Sequence, residues 1–155
     1  MSMNYWSVSG YGVNEDDLYN ASTDSQVAFI KKYLPSKFDD MVHTGEKRAD
    51  LDMSNTADYL DWCRRWIDDY EDDTGYMGFG LLFAKAIQEN EDGFAPEFFN
   101  QDGTGVIIYE DRMPWEMTER VKKMTEDDMS AIFKKYLDEL GVSANISRQY
   151  LEMYG

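Results

Sequence analysis

The sequence predicts an α+β fold: a small antiparallel sheet, made of an N-terminal strand and a hairpin over about 97–110, covered by four to six helices. Three stretches predict it. Residues 97–110, EFFNQDGTGVIIYE, place two short runs rich in Phe, Val, Ile and Tyr around Asp102-Gly103-Thr104-Gly105. Residues 125–141, TEDDMSAIFKKYLDELG, draw one apolar stripe through Met129, Ile132, Phe133, Tyr136, Leu137 and Leu140. Residues 54–73, SNTADYLDWCRRWIDDYEDD, form an amphipathic helix with an aromatic side and an acidic side. The 155 residues are 43% apolar and 15% aromatic, with no repeat or linker, so 1–155 is expected to be a single globular domain.

Taken in order, residues 3–9 read as a strand ending at Gly10-Tyr11-Gly12, where two glycines suit a tight reversal. Asn14 caps a short acidic turn, EDDLY. Thr23, with Gln26 three residues on, opens a helix carrying Val27, Ile30, Tyr33 and Leu34, and Pro35 stops it. Residues 36–53 suggest a loop with a helical turn near Phe38–Val42, or a disordered arm. Gly75, Gly78 and Gly80 precede a helix over about 79–90, where small residues permit close packing. No GxxxxGK[ST] makes this a phosphate loop. After the hairpin, Pro114-Trp115 leads a helical stretch to about Met124. Thr125 and Gly141 then bound the clearest helix, and a last short helix is expected over about 144–153.

At about 100° per residue, Leu60, Ile67, Tyr59, Cys63, Trp62, Trp66 and Tyr70 share the inner side of the 54–73 helix. Asp58, Asp61, Asp68, Asp69 and Asp72 share the other, and Glu71 and Asp73 extend it. Two i,i+4 pairs, Asp61–Arg65 and Arg64–Asp68, neutralise part of that charge. The whole chain holds 15 basic and 31 acidic residues, a net charge of −16. Such a protein repels nucleic-acid phosphates and anionic membranes and is attracted to basic protein surfaces.

Little in the sequence points to a reaction. One histidine, His43, and one cysteine, Cys63, cannot build a His/Cys zinc site, and neither has the surroundings of a nucleophile or its base. Cys63 on an apolar helix side reads as a core thiol in a reducing, cytoplasmic setting, and no signal peptide is visible at the N-terminus. Residues 100–111 superficially follow a calcium loop, but strands flank it and Asp111 is short for the closing ligand, so the hairpin is preferred. Asp50 and Asp52 form an unspecific acidic pair. No cofactor, no metal site and no catalytic residue is expected, and no apolar run of about 18 residues could span a membrane.

Tyr5-Trp6-Ser7-Val8-Ser9-Gly10-Tyr11-Gly12-Val13, followed by Glu15-Asp16-Asp17-Leu18, resembles a loose group of small acidic proteins of Gram-positive gut bacteria and their phages. Val106-Ile107-Ile108-Tyr109, then Pro114-Trp115-Glu116, resembles a later segment of the same group. The resemblance brings no activity and no catalytic residue. It implies a mobile-element accessory protein, of the kind that inhibits host defence. The expectation is therefore a non-enzymatic inhibitor that occupies the basic groove of a host nucleic-acid-handling protein, most specifically a CRISPR RNA-guided nuclease. Its acidic face would be Asp58, Asp61, Asp68, Asp69, Glu71, Asp72 and Asp73, imitating a nucleic-acid backbone. Three alternatives stay open: a face that only solubilises the protein, a binding module with an aromatic pocket near Trp6, Tyr11 and Trp115, and a carboxylate enzyme using a divalent ion.

Overall fold

A computed structural model describes residues 3–155. In chain order these form β1 (Tyr5–Asn14), a 3-10 turn (Glu15–Asn20), α1 (Thr23–Tyr33), α2 (Pro35–Glu46), α3 (Thr56–Asp69) and α4 (Phe79–Asn90). The hairpin β2 (Glu97–Gln101) and β3 (Thr104–Glu110) follows, then a 3-10 turn (Pro114–Glu116), α5 (Glu119–Lys122), α6 (Glu126–Leu140) and β4 (Ser147–Tyr154). The α+β class holds: one antiparallel sheet, ordered β2-β3-β1-β4, lies against a set of helices.

Two regions depart from the sequence reading. The last segment is a strand, not a helix: β4 pairs with β1 from Tyr5↔Tyr154 to Gly12↔Ser147. Arg, Gln, Leu, Glu and Met all favour helices, yet burial alternates along the segment, with Leu151 and Met153 inside and Tyr150 and Glu152 outside. Pairing with β1 overrides the local preference. The segment after Pro35 is neither loop nor arm. Pro35 stands at the first position of α2, where its missing N–H costs nothing. Gly45 then leaves room for the Trp62 indole, which donates to the Met41 carbonyl at 2.8 Å and locks α2 to α3.

Smaller shifts have local causes. Ser22, rather than Thr23, caps α1, accepting the Ser25 N–H at 3.2 Å. β1 runs straight through Gly10 and Gly12, so these glycines make no reversal. A Cβ there would stand 2.1 Å from the Tyr109 carbonyl oxygen and 2.0 Å from that of Ile107. The strands approach too closely for any side chain. The hairpin turns on Asp102 and Gly103, both at positive φ, as a two-residue primed turn requires.

The sheet curls, and its two faces bury different cores. Its outer strands β2 and β4 come within 8 Å of each other, and the Tyr154 N–H donates to Gln101 Oε1 at 3.1 Å. Inside the curl lie Val8, Val106, Ile108, Leu151 and Met153, with Phe99 against them. On the other face Val13, Phe98, Ile107 and Tyr109 join the main core with the helices. α4 lies on β2 and β3, α6 lies on β1, and α1 touches α2, α3, α4 and α6. α3 meets chiefly α1 and α2, so it belongs to the outermost helical layer, with one side free. Among the described residues, no helix is long and apolar enough to cross a membrane.

Candidate functional site

Along α3, Asp61, Asp68 and Asp69 are exposed and Asp58 is half-buried. The aromatic side of the helix packs inward as predicted: Trp62, Cys63 and Ile67 are buried, and Tyr59, Trp66 and Tyr70 lie partly buried against the core. Burial pushes the Cys63 thiol pKa up, as befits a core residue. Asn55 caps the helix, accepting the Asp58 N–H at 3.1 Å. The Asp58 carboxylate in turn accepts the Asp52 N–H at 3.2 Å, which fixes the loop before the helix. Asp61 pairs with Arg65 at 3.4 Å, and Asp68 with Arg64 at 4.0 Å, all four side chains being largely exposed. Asp69 is exposed at the last helical position.

Glu71, Asp72 and Asp73 do not extend the acidic side of α3, because Tyr70 turns the chain into an extended conformation. Glu71 forms a bridge with Met77. Asp72 turns inward, paired with Lys85 of α4 at 2.9 Å and accepting the Thr74 N–H at 2.9 Å. Burial opposes its ionisation, but the bonds from Thr74 and Lys85 prevail and hold its carboxyl below the usual range. Asp72 is therefore a brace between a loop and α4. Asp73 is exposed beside it.

Asp68 of α3 instead shares a cleft with Glu15 and Tyr19 of the 3-10 turn that follows β1. Tyr19 on that turn is 58% exposed. Its hydroxyl is pushed up to about 12 by burial first, and then by the charges of Glu15, Asp16 and Asp68. Arg64 of α3 reaches the start of α1, donating to Thr23 Oγ1 at 3.2 Å. Asp61 and Asp68 are exposed on α3, Asp58 is half-buried in its first turn, and Asp16 is exposed on the 3-10 turn. The 14 residues of α3 make it about 21 Å long, shorter than a 20-residue helix would be.

That cleft, of about 370 Å³, is lined by Glu15, Tyr19, Asp68, Tyr76, Met77 and Asn100 among others. Glu15 closes its back and is only 3% exposed. Burial raises the Glu15 pKa, and the nearby Tyr19 hydroxyl and Gly80 N–H only partly oppose the rise. A Cβ at Gly80 would lie 2.4 Å from one carboxylate oxygen, and a Cβ at Gly105 2.6 Å from the other. Walled in this way, Glu15 serves the amino end of α4, whose cap Gly78 has no side chain to give. The sequence reading missed Glu15, Asp16 and Tyr19. The signal available for Glu15 was a helix start at Gly78, which has no side chain to cap it.

The three aromatic residues of the alternative pocket do not converge. Trp6 stands opposite Met153, with its ring 3.7 Å from the Cβ position of Gly155. Tyr11 lies on the other face of β1, where its hydroxyl bonds Ser130 of α6 at 2.5 Å. Trp115 projects from the second 3-10 turn and is 78% exposed. Comparison with protein-family models, with curated proteins and with solved structures finds no match to this chain. The geometry offers acidic residues on α3 beside a cleft of about 370 Å³ lined by Asp68 and the buried Glu15.

Proposed function

We propose that this protein is a non-enzymatic inhibitor that blocks the basic groove of a nucleic-acid-handling protein, most specifically an RNA-guided CRISPR nuclease, as an accessory of a phage or prophage. The observation that carries this is the acidic side of α3, with Asp58, Asp61 and Asp68, of which Asp68 shares a cleft with Glu15 and Tyr19, in a chain of net charge −16. Arg64 and Arg65 neutralise that side only in part, through exposed pairs that a partner's cations can displace at small cost. A basic groove would be drawn to it at rates that fall with salt. The adjoining cleft, between Asp68 and Tyr19, takes one Lys or Arg of the partner.

The test is displacement of labelled guide RNA or target DNA from a purified CRISPR effector nuclease, at about 0.05 M and about 0.3 M salt. The wild-type chain should displace the nucleic acid, and more weakly at the higher salt. Replacing Asp16, Asp58, Asp61 and Asp68 by Asn should weaken displacement at least about tenfold, with the circular dichroism spectrum unchanged. Equal displacement by the four-Asn chain at both salt concentrations would show that these carboxylates are not the interface.

A further inference from the structure

β4 is bonded on one side only, and its open side borders a groove. Asn4 and Gly155 exchange two backbone bonds, each of 3.2 Å. Antiparallel alternation then turns the N–H and C=O groups of Met153, Leu151 and Gln149 toward β1. It turns those of Tyr154, Glu152, Tyr150 and Arg148 outward, where among the described residues no strand bonds them, although the end of β2 comes within 8 Å of the edge at Tyr154. The Tyr154 N–H meets the Gln101 side chain there. Along this edge runs a groove of about 490 Å³, with Tyr150, Glu152 and Tyr154 on one wall and Asp102 and Thr104 of the hairpin turn on the other.

The groove is aromatic and anionic. Tyr5, 75% exposed, and Tyr150, 63% exposed, lie on the helix-facing side of the β1–β4 ribbon. Among the described residues, Asp102 and Glu152 are the charged residues lining the groove, and no cation lines it. A second copy of this chain would bring −16 against −16, so self-association by this edge is electrostatically opposed.

We propose that the outer edge of β4 accepts an extended, basic segment of a partner protein as a fifth strand. The added strand bonds the main chain of Tyr150 and Glu152, and its Lys or Arg side chains pass over the tyrosine rings toward Asp102 and Glu152. None of the α3 carboxylates takes part, so this site stands or falls separately from the acidic side of α3.

The test is backbone hydrogen exchange by NMR on the full chain, with a synthetic peptide of about nine residues alternating Arg and Thr. Exchange at the outward amides of Tyr150 and Glu152 should slow at least about tenfold, and that at the inward Gln149 and Leu151 should not change. The same peptide with Pro replacing alternate Thr should have no such effect, because it cannot complete the ladder. Tyr150→Pro removes one outward donor while leaving the bonds to β1, and should abolish the slowing. Should that variant fail to fold, Glu152→Lys with Asp102→Lys, at exposed positions, should abolish it instead. No slowing, equal slowing by the Pro-interrupted peptide, or slowing that grows with protein concentration in the absence of peptide would each overturn the proposal. The last would make the edge a contact between copies.

Discussion

The Glu15 carboxylate, carried by the turn after β1, lies against Gly80 in the first turn of α4, where a Cβ would stand 2.4 Å from one of its oxygens. This contact joins the end of the first strand to the start of a helix whose Phe79–Leu82 are all buried. Its cost lies in burial, which raises the carboxyl's pKa above 4.5. The folded state then holds the proton more tightly than the unfolded state, so stability falls as pH rises from about 4.5 through the folded pKa. Glu15→Gln keeps an acceptor beside Gly80 and removes the ionisation. Its urea midpoint should vary less with pH across that window and match or exceed the wild type at neutral pH. Glu110, raised by burial and by Glu97, adds a slope of the same sign to both proteins, so the readout is the difference between their curves. Parallel curves would mean that Glu15 does not titrate in this range.

Gly10 and Gly12 give a second prediction. The atoms that a Cβ would strike are carbonyl oxygens of β3, which cannot move aside as a side-chain tip can. Gly10→Ala or Gly12→Ala must pry β1 from β3 and loosen the small core inside the curl. Each should destabilise the protein by about 3 kcal/mol, seen as a lower Tm. Gly103→Asn, at a turn position open to solvent, should cost far less. Equal losses at all three positions would refute the close-approach explanation.

Glu91 makes the opposite pH statement. Just past the end of α4 it accepts from Tyr136 at 2.7 Å, Arg120 at 3.0 Å and Lys135 at 3.2 Å, tying α4 to α5 and α6. Burial pushes its carboxyl up, but these three donors outweigh burial and hold it below 4.5. A depressed carboxylate contributes stability above its unfolded pKa and loses it as pH falls through the folded value. Glu91→Gln should therefore cost about 2 kcal/mol at neutral pH, and the deficit should close in acid below the usual carboxylate range. Denaturant titrations at neutral and acid pH measure this directly, and a deficit constant with pH would rule it out.

What the sequence made legible is what local chemistry decides. Thr125 and Gly141 bound α6, Asp102-Gly103 turns the hairpin, and the aromatic spacing from Tyr59 to Tyr70 orients α3. Each signal is complete within a few residues. What stayed hidden depends on partners far along the chain. Residues 147–154 become a strand only because β1 offers an edge, and Gly45 is explained only by the Trp62 indole, 17 positions on. At the candidate interface, helical spacing put Asp58, Asp61, Asp68 and Asp69 on α3, where the last three are exposed and Asp58 is half-buried. It could not show that Lys85, across a loop, draws Asp72 inward, or that Asp68 shares a cleft with Glu15 and Tyr19.

Asp72 separates bracing from binding. Its side chain is 16% exposed and that of its partner Lys85 is 22% exposed, so the pair is shielded from water far better than Asp61–Arg65 or Arg64–Asp68. Asp72→Asn removes the charge that Lys85 needs and weakens the turn closed by Thr74, and should cost about 1–2 kcal/mol. Asp61→Asn and Asp68→Asn break only exposed helical pairs, and each should change stability by less than about 0.5 kcal/mol. Binding should invert the order: displacement of nucleic acid from the nuclease should weaken with Asp61→Asn and Asp68→Asn and survive in Asp72→Asn at temperatures where that variant is folded. Asp73→Asn, exposed and off the helix, should alter neither. Thermal melts beside displacement curves for the four single variants test both halves, and a binding loss confined to Asp72→Asn would move the interface from the acidic side of α3 to the loop before α4.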